Sequence, residues 1–371
     1  MWFDIAEYQS RLENAQKYMA RHELDYLLVF EPELVTYLTG FYTLGYGTSF
    51  QCVLVPSSGL PLTVLRKAEQ FHFNDTAAWL DKYLLWYDGE SAPDVVIRAM
   101  AELSVKGRVG FDGASWRATT TIMDRVRGAI RASFIDLGTE LDSLRFIKSQ
   151  AEIAYMREAG QAVSLMHEAG IRAVSPGATE RDLMIATASA GLRGGSDQAE
   201  PGPLASGERA YHIHSCFQDR VISHDDLVFL EMCAHKKNYH ARCMRTIVVG
   251  QHDDHMVDTY RRFVDIQDEA LATIRAGVHC SVPDRIVREG VVKTGWVDQY
   301  PNKTFYGIGM MFWPNTYEKL EVTRNADFHF EAGMTFHAYI SARGLNISES
   351  IVITDRGHER LTTFDRGIIL K

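Results

Sequence analysis

The chain is short of cysteine, of basic charge and of long apolar runs, and each shortage excludes something. Five cysteines in 371 residues (Cys52, Cys216, Cys233, Cys243 and Cys280) form an odd, scattered set without a CxxC pair. This usage excludes a disulfide framework and reads as the reduced thiols of a cytoplasmic protein. Against 48 acidic residues stand only 39 basic ones, and the net charge of −9 leaves no electrostatic footprint for nucleic acid. No stretch approaches the roughly 18 apolar residues of a membrane span. The acidic, amphipathic start MWFDIAEYQSRLENAQ lacks the positive end and apolar run of a signal peptide. The expectation is a cytoplasmic protein with neither a membrane nor a nucleic-acid partner.

What is present is ordinary globular material, 46% hydrophobic and 23% charged, in a length that suits two domains. Helical spacing over Tyr8–His22, Ala92–Leu103 and Arg117–Ile130 alternates with strand-like runs at Leu24–Phe30, Gln51–Pro56, Leu60–Leu65, Arg108–Phe111 and Ser133–Leu137. This α/β alternation predicts a mixed sheet. A strong amphipathic helix over Gln150–Ala173 follows, placing the boundary near Leu144 and dividing the chain into residues 1–143 and 144–371. The second part reads as α+β with a weak repeat. EAGIRAVSPGATERDL from Glu168 and EALATIRAGVHCSVPD from Glu269 are each a helix that stops at a glycine turn before a polar helix start.

Chemistry-bearing residues concentrate between 205 and 250. His212, His214, His224, His235 and His240 flank a strand, Leu227–Met232, that carries Glu231. A carboxylate on an otherwise apolar strand is expensive to bury without a partner, which marks Glu231 as a candidate functional group. An ion pair with Arg242 or Arg245, with the histidines at the surface, is the alternative. The spacings His212-x-His214 and His235-x4-His240 match no tight ligand template, and no HExxH occurs. No dedicated metal site is expected from spacing.

Five segments carry a family resemblance: SLRFIKSQAEIAYMREAG (143–160), NYHARCMRTIVVG (238–250), FYGIGM (305–310), EAGMTF (331–336) and GLNISESIVITDRGHERLT (344–362). In this order they resemble the pita-bread family of methionine aminopeptidase, prolidase, aminopeptidase P and creatinase. Residues 1–143 look like the extra N-terminal domain of the last three. The resemblance implies an α+β pita-bread catalytic domain preceded by a smaller creatinase-like α/β domain. Metal-dependent members bind two ions through two Asp, one His and two Glu. By resemblance these positions fall on Glu231, Arg242, Met310, Tyr339 and Ser348, the last with Glu349 beside it. Only Glu231 still offers a carboxylate, and a guanidinium repels a cation. The implication is a protein without a metal or other cofactor.

Among metal-free relatives, the pattern is similar to that of ectoine hydrolases in Glu231, Tyr239-His240, EAGMTFH (331–337) and GLNISESIVIT (344–354), and looser in the loop 313–318 and the connection 338–343. This implies hydrolysis of a C–N bond in a small amidine or guanidino compound, with ectoine or hydroxyectoine the leading candidate. A creatine-type amidinohydrolase and a Xaa-Pro metallopeptidase-like protein are the alternatives. Glu231 would act as nucleophile or water-activating base. His214, which matches the creatinase histidine when counted back from Glu231, would protonate the leaving nitrogen. Tyr239, His240, His337, Tyr339 and Glu349 are expected to contact substrate, with core packing the alternative for His337 and Tyr339. Arg242 would neutralise Glu231 or bind a carboxylate. In GFYTLGYGTSFQC (40–52), Phe41 and Tyr46 offer aromatic faces to a delocalised cation, or else form a core-facing stripe. In relatives this domain reaches the active site of a neighbouring subunit, which implies a homodimer.

Overall fold

The computed structural model describes residues 1–198, 202–312 and 315–371. The chain divides into two compact units, Met1–Arg145 and Phe146–Lys371. Trp313 and Pro314, at the head of the loosely matching loop 313–318, lie outside the described residues.

The first unit contains α1 (Ile5–Arg21), β1 (Tyr26–Val29), α2 (Pro32–Thr39), β2 (Cys52–Pro56), β3 (Leu62–Arg66), α3 (Gln70–Thr76), β4 (Tyr83–Trp86), α4 (Ala92–Glu102), β5 (Arg108–Phe111), α5 (Thr120–Ala129) and β6 (Ser133–Asp136). Its sheet has the order β4-β3-β2-β1-β5-β6. Pairing is antiparallel at β1–β2 and β2–β3 and parallel at β3–β4, β1–β5 and β5–β6, so the sheet is mixed, as the alternation implies. Leu28, Leu54, Val64 and Val109 from the strands meet Val95, Ala99 and Val126 from α4 and α5 in its core. Gly40 ends α2 in the left-handed region at φ 79°, where a side chain would be strained.

The second unit opens with α6 (Gln150–Ala173) and α7 (Glu180–Arg193), continues through β7 (Leu204–Ser206), β8 (Leu227–Lys236), β9 (Tyr239–Val248), α8 (Asp254–Thr273), α9 (Ser281–Lys293), β10 (Phe305–Gly307), β11 (Glu321–Val322), β12 (Thr335–Ala342) and β13 (Leu345–Ile353), and closes with β14 (His358–Arg360) and β15 (Ile369–Leu370). Capping boxes start both helices of the first pair, Ser149 with Glu152 on α6 and Thr179 with Asp182 on α7. The two similar segments at Glu168 and Glu269 form equivalent corners, one joining α6 to α7 and the other α8 to α9.

Each helix pair covers one sheet. Leu230, Met232, Ala234, Ala241 and Cys243 of β8 and β9 pack into the core under α6 and α7. Phe336, Ala338, Ile340, Ile347 and Ile351 of β12 and β13 pack into the core under α8 and α9. Because strand side chains alternate, the intervening residues (Glu231, Cys233, His235, His240 and Arg242 on the first sheet; His337, Tyr339 and Ser348 on the second) project from the opposite faces. The two sheets are joined by hydroxyls between β9 and β13. Arg242 N–H donates to Ser350 Oγ at 2.8 Å, Met244 N–H to Ser348 Oγ at 2.7 Å, and Asn346 N–H to Thr246 Oγ1 at 2.9 Å. Among the described residues, no helix is long and apolar enough to cross a membrane.

Candidate active site

Glu231 pairs across the ladder with Met244, and Arg242 with Cys233, so Glu231 and Arg242 are diagonal neighbours on one face of the β8–β9 hairpin. Arg242 Nη1 approaches Glu231 Oε1 to 3.6 Å, an ion pair too long to be a hydrogen bond. Burial pushes the Glu231 carboxyl up to about 7, and the nearby guanidinium offsets only part of that shift. Burial alone would lower Arg242, but Tyr306, Cys233 and Glu231 around it outweigh that effect and it stays charged. Its Nη1 donates to Tyr306 OH at 3.1 Å and its Nη2 to Thr316 O at 2.8 Å. The buried Nε–H has no hydrogen-bond partner among the described residues.

The second sheet contributes His337, whose ring lies wholly inside the protein. Nδ1 is 2.6 Å from Tyr306 OH and Nε2 is 2.5 Å from Ser348 Oγ. Ser348 Oγ accepts from Met244 N–H and can either donate its own proton to Nε2, which puts the imidazole proton on Nδ1 and makes His337 the donor to Tyr306, or accept again from Nε2–H, which makes Tyr306 the donor to Nδ1. With the imidazole proton on Nδ1, Tyr306 accepts twice, from Arg242 and from His337, and its own proton has no acceptor among the described residues. Burial holds the imidazole neutral by lowering its pKa well below the usual histidine range. Tyr339 stacks on His337 with ring centroids 5.5 Å apart and meets Tyr306 edge-on at 5.6 Å.

This cluster differs from the sequence expectation at several residues. His214 lies in an exposed segment after β7 and has no hydrogen-bond or ion-pair partner among the described residues, so no relay connects it to Glu231. Glu349 faces away from Ser348 because successive side chains of β13 alternate. It is fully buried against Arg245 at 2.7 Å and accepts from Thr362 Oγ1 at 2.5 Å. Tyr239 alternates with His240 in the same way. Its hydroxyl donates to Glu152 Oε1 at 2.6 Å on α6, and its ring stacks on Tyr155. His240 does share the inner face, but sits beside Cys233 and His235 toward the hairpin turn. Phe41 and Tyr46 are buried within the first unit, Phe41 against Tyr46 and Phe73, with Tyr46 OH donating to Phe41 O at 2.9 Å. These two form the core-facing stripe that was the alternative reading.

Tyr306 escaped the sequence reading, which in this segment singled out only Met310, as the position of a lost metal-ligand histidine. It is Tyr306, four residues earlier, that bonds Arg242 and His337. Gly309 in the same turn is required by packing. A Cβ there would collide with Glu318 Oε1 and lie 2.8 Å from Lys148 Cε, disrupting the buried Lys148–Glu318 ion pair of 2.5 Å.

A dinuclear divalent site does not fit this donor set. Around Glu231 stand a guanidinium, two phenols, a neutral imidazole and a hydroxyl, with a single carboxyl among them. Arg242 already projects its charge toward Glu231, where a hard cation would need a second carboxylate.

Two helix-covered sheets with polar inner faces, preceded by an α/β unit, define a pita-bread hydrolase with an added N-terminal domain. Residues 154–355 match metallopeptidase family M24, and residues 11–147 match the creatinase/prolidase N-terminal domain. The chain belongs to family M24. Over its whole length it is 26% identical to an uncharacterized hydrolase/peptidase of Sinorhizobium fredii and 26% identical to ectoine hydrolase of Halomonas elongata, covering 98% of each. The Xaa-Pro dipeptidase of Bacillus anthracis shares the fold, with a TM-score of 0.85 at 22% identity over 98% of this chain and 100% of that one.

Proposed function

We propose that this protein hydrolyses a C–N bond of a small amidine that also carries a carboxylate, with ectoine or hydroxyectoine the leading candidates, and that it does so without metal at the position occupied by Arg242. The observation that carries the reading is the side-by-side placement of Glu231 and Arg242. A carboxyl and a guanidinium lie 3.6 Å apart without bonding each other, each with capacity to bond a ligand. Such a pair suits a zwitterion, its carboxylate on the Arg242 Nε–H and its amidinium at Glu231. The full-length similarity to ectoine hydrolase supports this substrate class.

In the proposed reaction, ionised Glu231 takes a proton from water, whose oxygen adds to the amidinium carbon, or Glu231 adds directly to give an acyl-enzyme that water then hydrolyses to release the product and restore the carboxylate. The C–N bond breaks as the departing nitrogen takes a proton. We assign that proton to Tyr306 rather than to His214. In the tautomer with the imidazole proton on Nδ1, the phenol's proton has no acceptor among the described residues, and Arg242 and His337 both donate to the oxygen that becomes phenolate. We place the enzyme in the cytoplasm as a homodimer, in keeping with its reduced cysteines and its relatives. Size-exclusion chromatography with light scattering checks the dimer.

Proton NMR of chelator-treated protein with ectoine, creatine and a Xaa-Pro dipeptide in parallel tests the reading. Loss of ectoine ring signals without added metal upholds it. Cleavage of the dipeptide alone, and only after manganese is added, replaces it with a prolidase-like activity.

A further inference from the structure

A second cluster stands on the same face of the β8–β9 hairpin, nearer its turn. Lys237 and Asn238 both have positive φ, 49° and 60°, as a two-residue type I′ turn demands. The tight turn sets His235 directly opposite His240. Cys233 precedes His235 by two residues and shares its face. All three side chains are buried, and their ligand atoms lie within 4.8 Å of one another. Cys233 Sγ is 3.7 Å from His235 Nε2 and 3.7 Å from His240 Nδ1. The two imidazole centroids are also 3.7 Å apart.

The two sulfur–nitrogen separations match a coordination polyhedron, and the two nitrogens lie within 4.8 Å of each other. With metal–sulfur bonds of about 2.3 Å and metal–nitrogen bonds of about 2.0 Å, neighbouring ligands at tetrahedral angles stand about 3.5 Å apart. The outer contact is in place as well. His240 Nε2 lies 3.2 Å from Met311 O, so Nε2 carries the proton and Nδ1 turns its lone pair toward Cys233. That arrangement of an imidazole held by a carbonyl and aimed at a thiol orients a metal ligand before the ion arrives.

We propose that Cys233 Sγ, His235 Nε2 and His240 Nδ1 form a binding site for one soft, thiophilic transition-metal ion, zinc or monovalent copper, separate from the Glu231–Arg242 pair. The donor set selects the ion. One thiolate and two imidazoles suit zinc and copper, and offer manganese or magnesium no oxygen. Arg242, across the ladder from Cys233, favours the thiolate and further disfavours a hard cation that would bind without sulfur. Three protein ligands leave a fourth position for water or a small donor. The inference is independent of the proposed substrate, because it concerns other side chains and is read by spectroscopy.

The test uses the full chain, stripped with chelator and reductant and titrated anaerobically. Co²⁺ serves as the spectroscopic stand-in for zinc, and Cu⁺ is delivered in competition with a chromogenic chelator. One equivalent bound, with a thiolate-to-cobalt charge-transfer band or with Cu⁺ withdrawn from the chelator, upholds the site; binding of Cu⁺ alone assigns it to copper. Cys233→Ser abolishes the band, His240→Ala weakens binding by about tenfold or more, and Cys216→Ser, which removes the exposed cysteine, leaves both unchanged. Circular dichroism confirms that each variant is folded, and His235→Gln replaces Cys233→Ser if the latter unfolds. Failure to bind either ion, or a band that survives removal of Cys233 or His235, overturns the proposal.

Discussion

Tyr306 and His337 share a hydrogen bond of 2.6 Å, and its direction decides which group in the site has a proton to give. With Ser348 donating to Nε2 the imidazole proton sits on Nδ1, His337 donates and the phenol proton is left over, and this is the tautomer the proposed mechanism uses. Tyr306→Phe should therefore lower kcat by about a hundredfold or more while the protein stays folded. His214→Ala, which removes an exposed side chain without a hydrogen-bond or ion-pair partner among the described residues, should leave kcat near wild type. Steady-state kinetics of the two variants side by side check the assignment, and the reverse order returns the donor role to His214.

The proposed mechanism has Glu231 act in the ionised form in both of its versions. Its carboxyl is raised to about 7, so kcat/KM should climb with pH through that value and then level off. Glu231→Gln should lose about a thousandfold or more. A pH–rate profile that stays flat from acid to neutral removes Glu231 from the rate-determining chemistry.

The same group has a stability signature. An unfolded glutamate titrates near 4.3, and in the folded protein Glu231 titrates at about 7. A raised acid pKa contributes stability that is fully present below the unfolded value and lost as pH rises through the folded one. Glu231→Gln does not titrate, so it should gain on the wild type by about 3 to 4 kcal/mol between those two pH values. Urea unfolding at several pH values measures it.

His167 has the opposite sign. Burial, with Arg245 adding to it, lowers its pKa to about 3, while its Nε2 lies 2.9 Å from Cys243 O. An unfolded histidine titrates near 6.5, so this contribution is complete above that pH and disappears as pH falls toward 3. His167→Gln should flatten the acid limb of the stability profile by about 4 to 5 kcal/mol, read from the same denaturation series.

Glu349 separates structure from catalysis. It and Arg245 are fully withdrawn from solvent in a 2.7 Å pair. Glu349→Gln leaves the guanidinium without its counter-charge and should cost about 3 to 5 kcal/mol. The folded fraction should keep the wild-type kcat, and a specific loss of kcat would instead place Glu349 in contact with substrate.

The amino-acid sequence by itself determined the sheet-forming runs and long helices, because apolar periodicity and capping residues act over a few positions. Gln150–Ala173 is legible from its 3.6-residue pattern and from Ser149 and Glu152 at its start. Glu231 and Arg242 could be paired on paper, because an eleven-residue separation within one hairpin is a local relation. The tertiary structure alone decided which of two adjacent residues enters the site. Ser348 and His240 face inward while their neighbours Glu349 and Tyr239 face the helices, since a shift of one residue on a strand reverses the face. It also decided the pairing of His235 with His240, whose five-residue spacing matches no ligand template until a type I′ turn folds one onto the other. The bond between Tyr306 and His337 joins strands of one sheet 31 residues apart, and only the packing of two sheets brings that pair to Arg242.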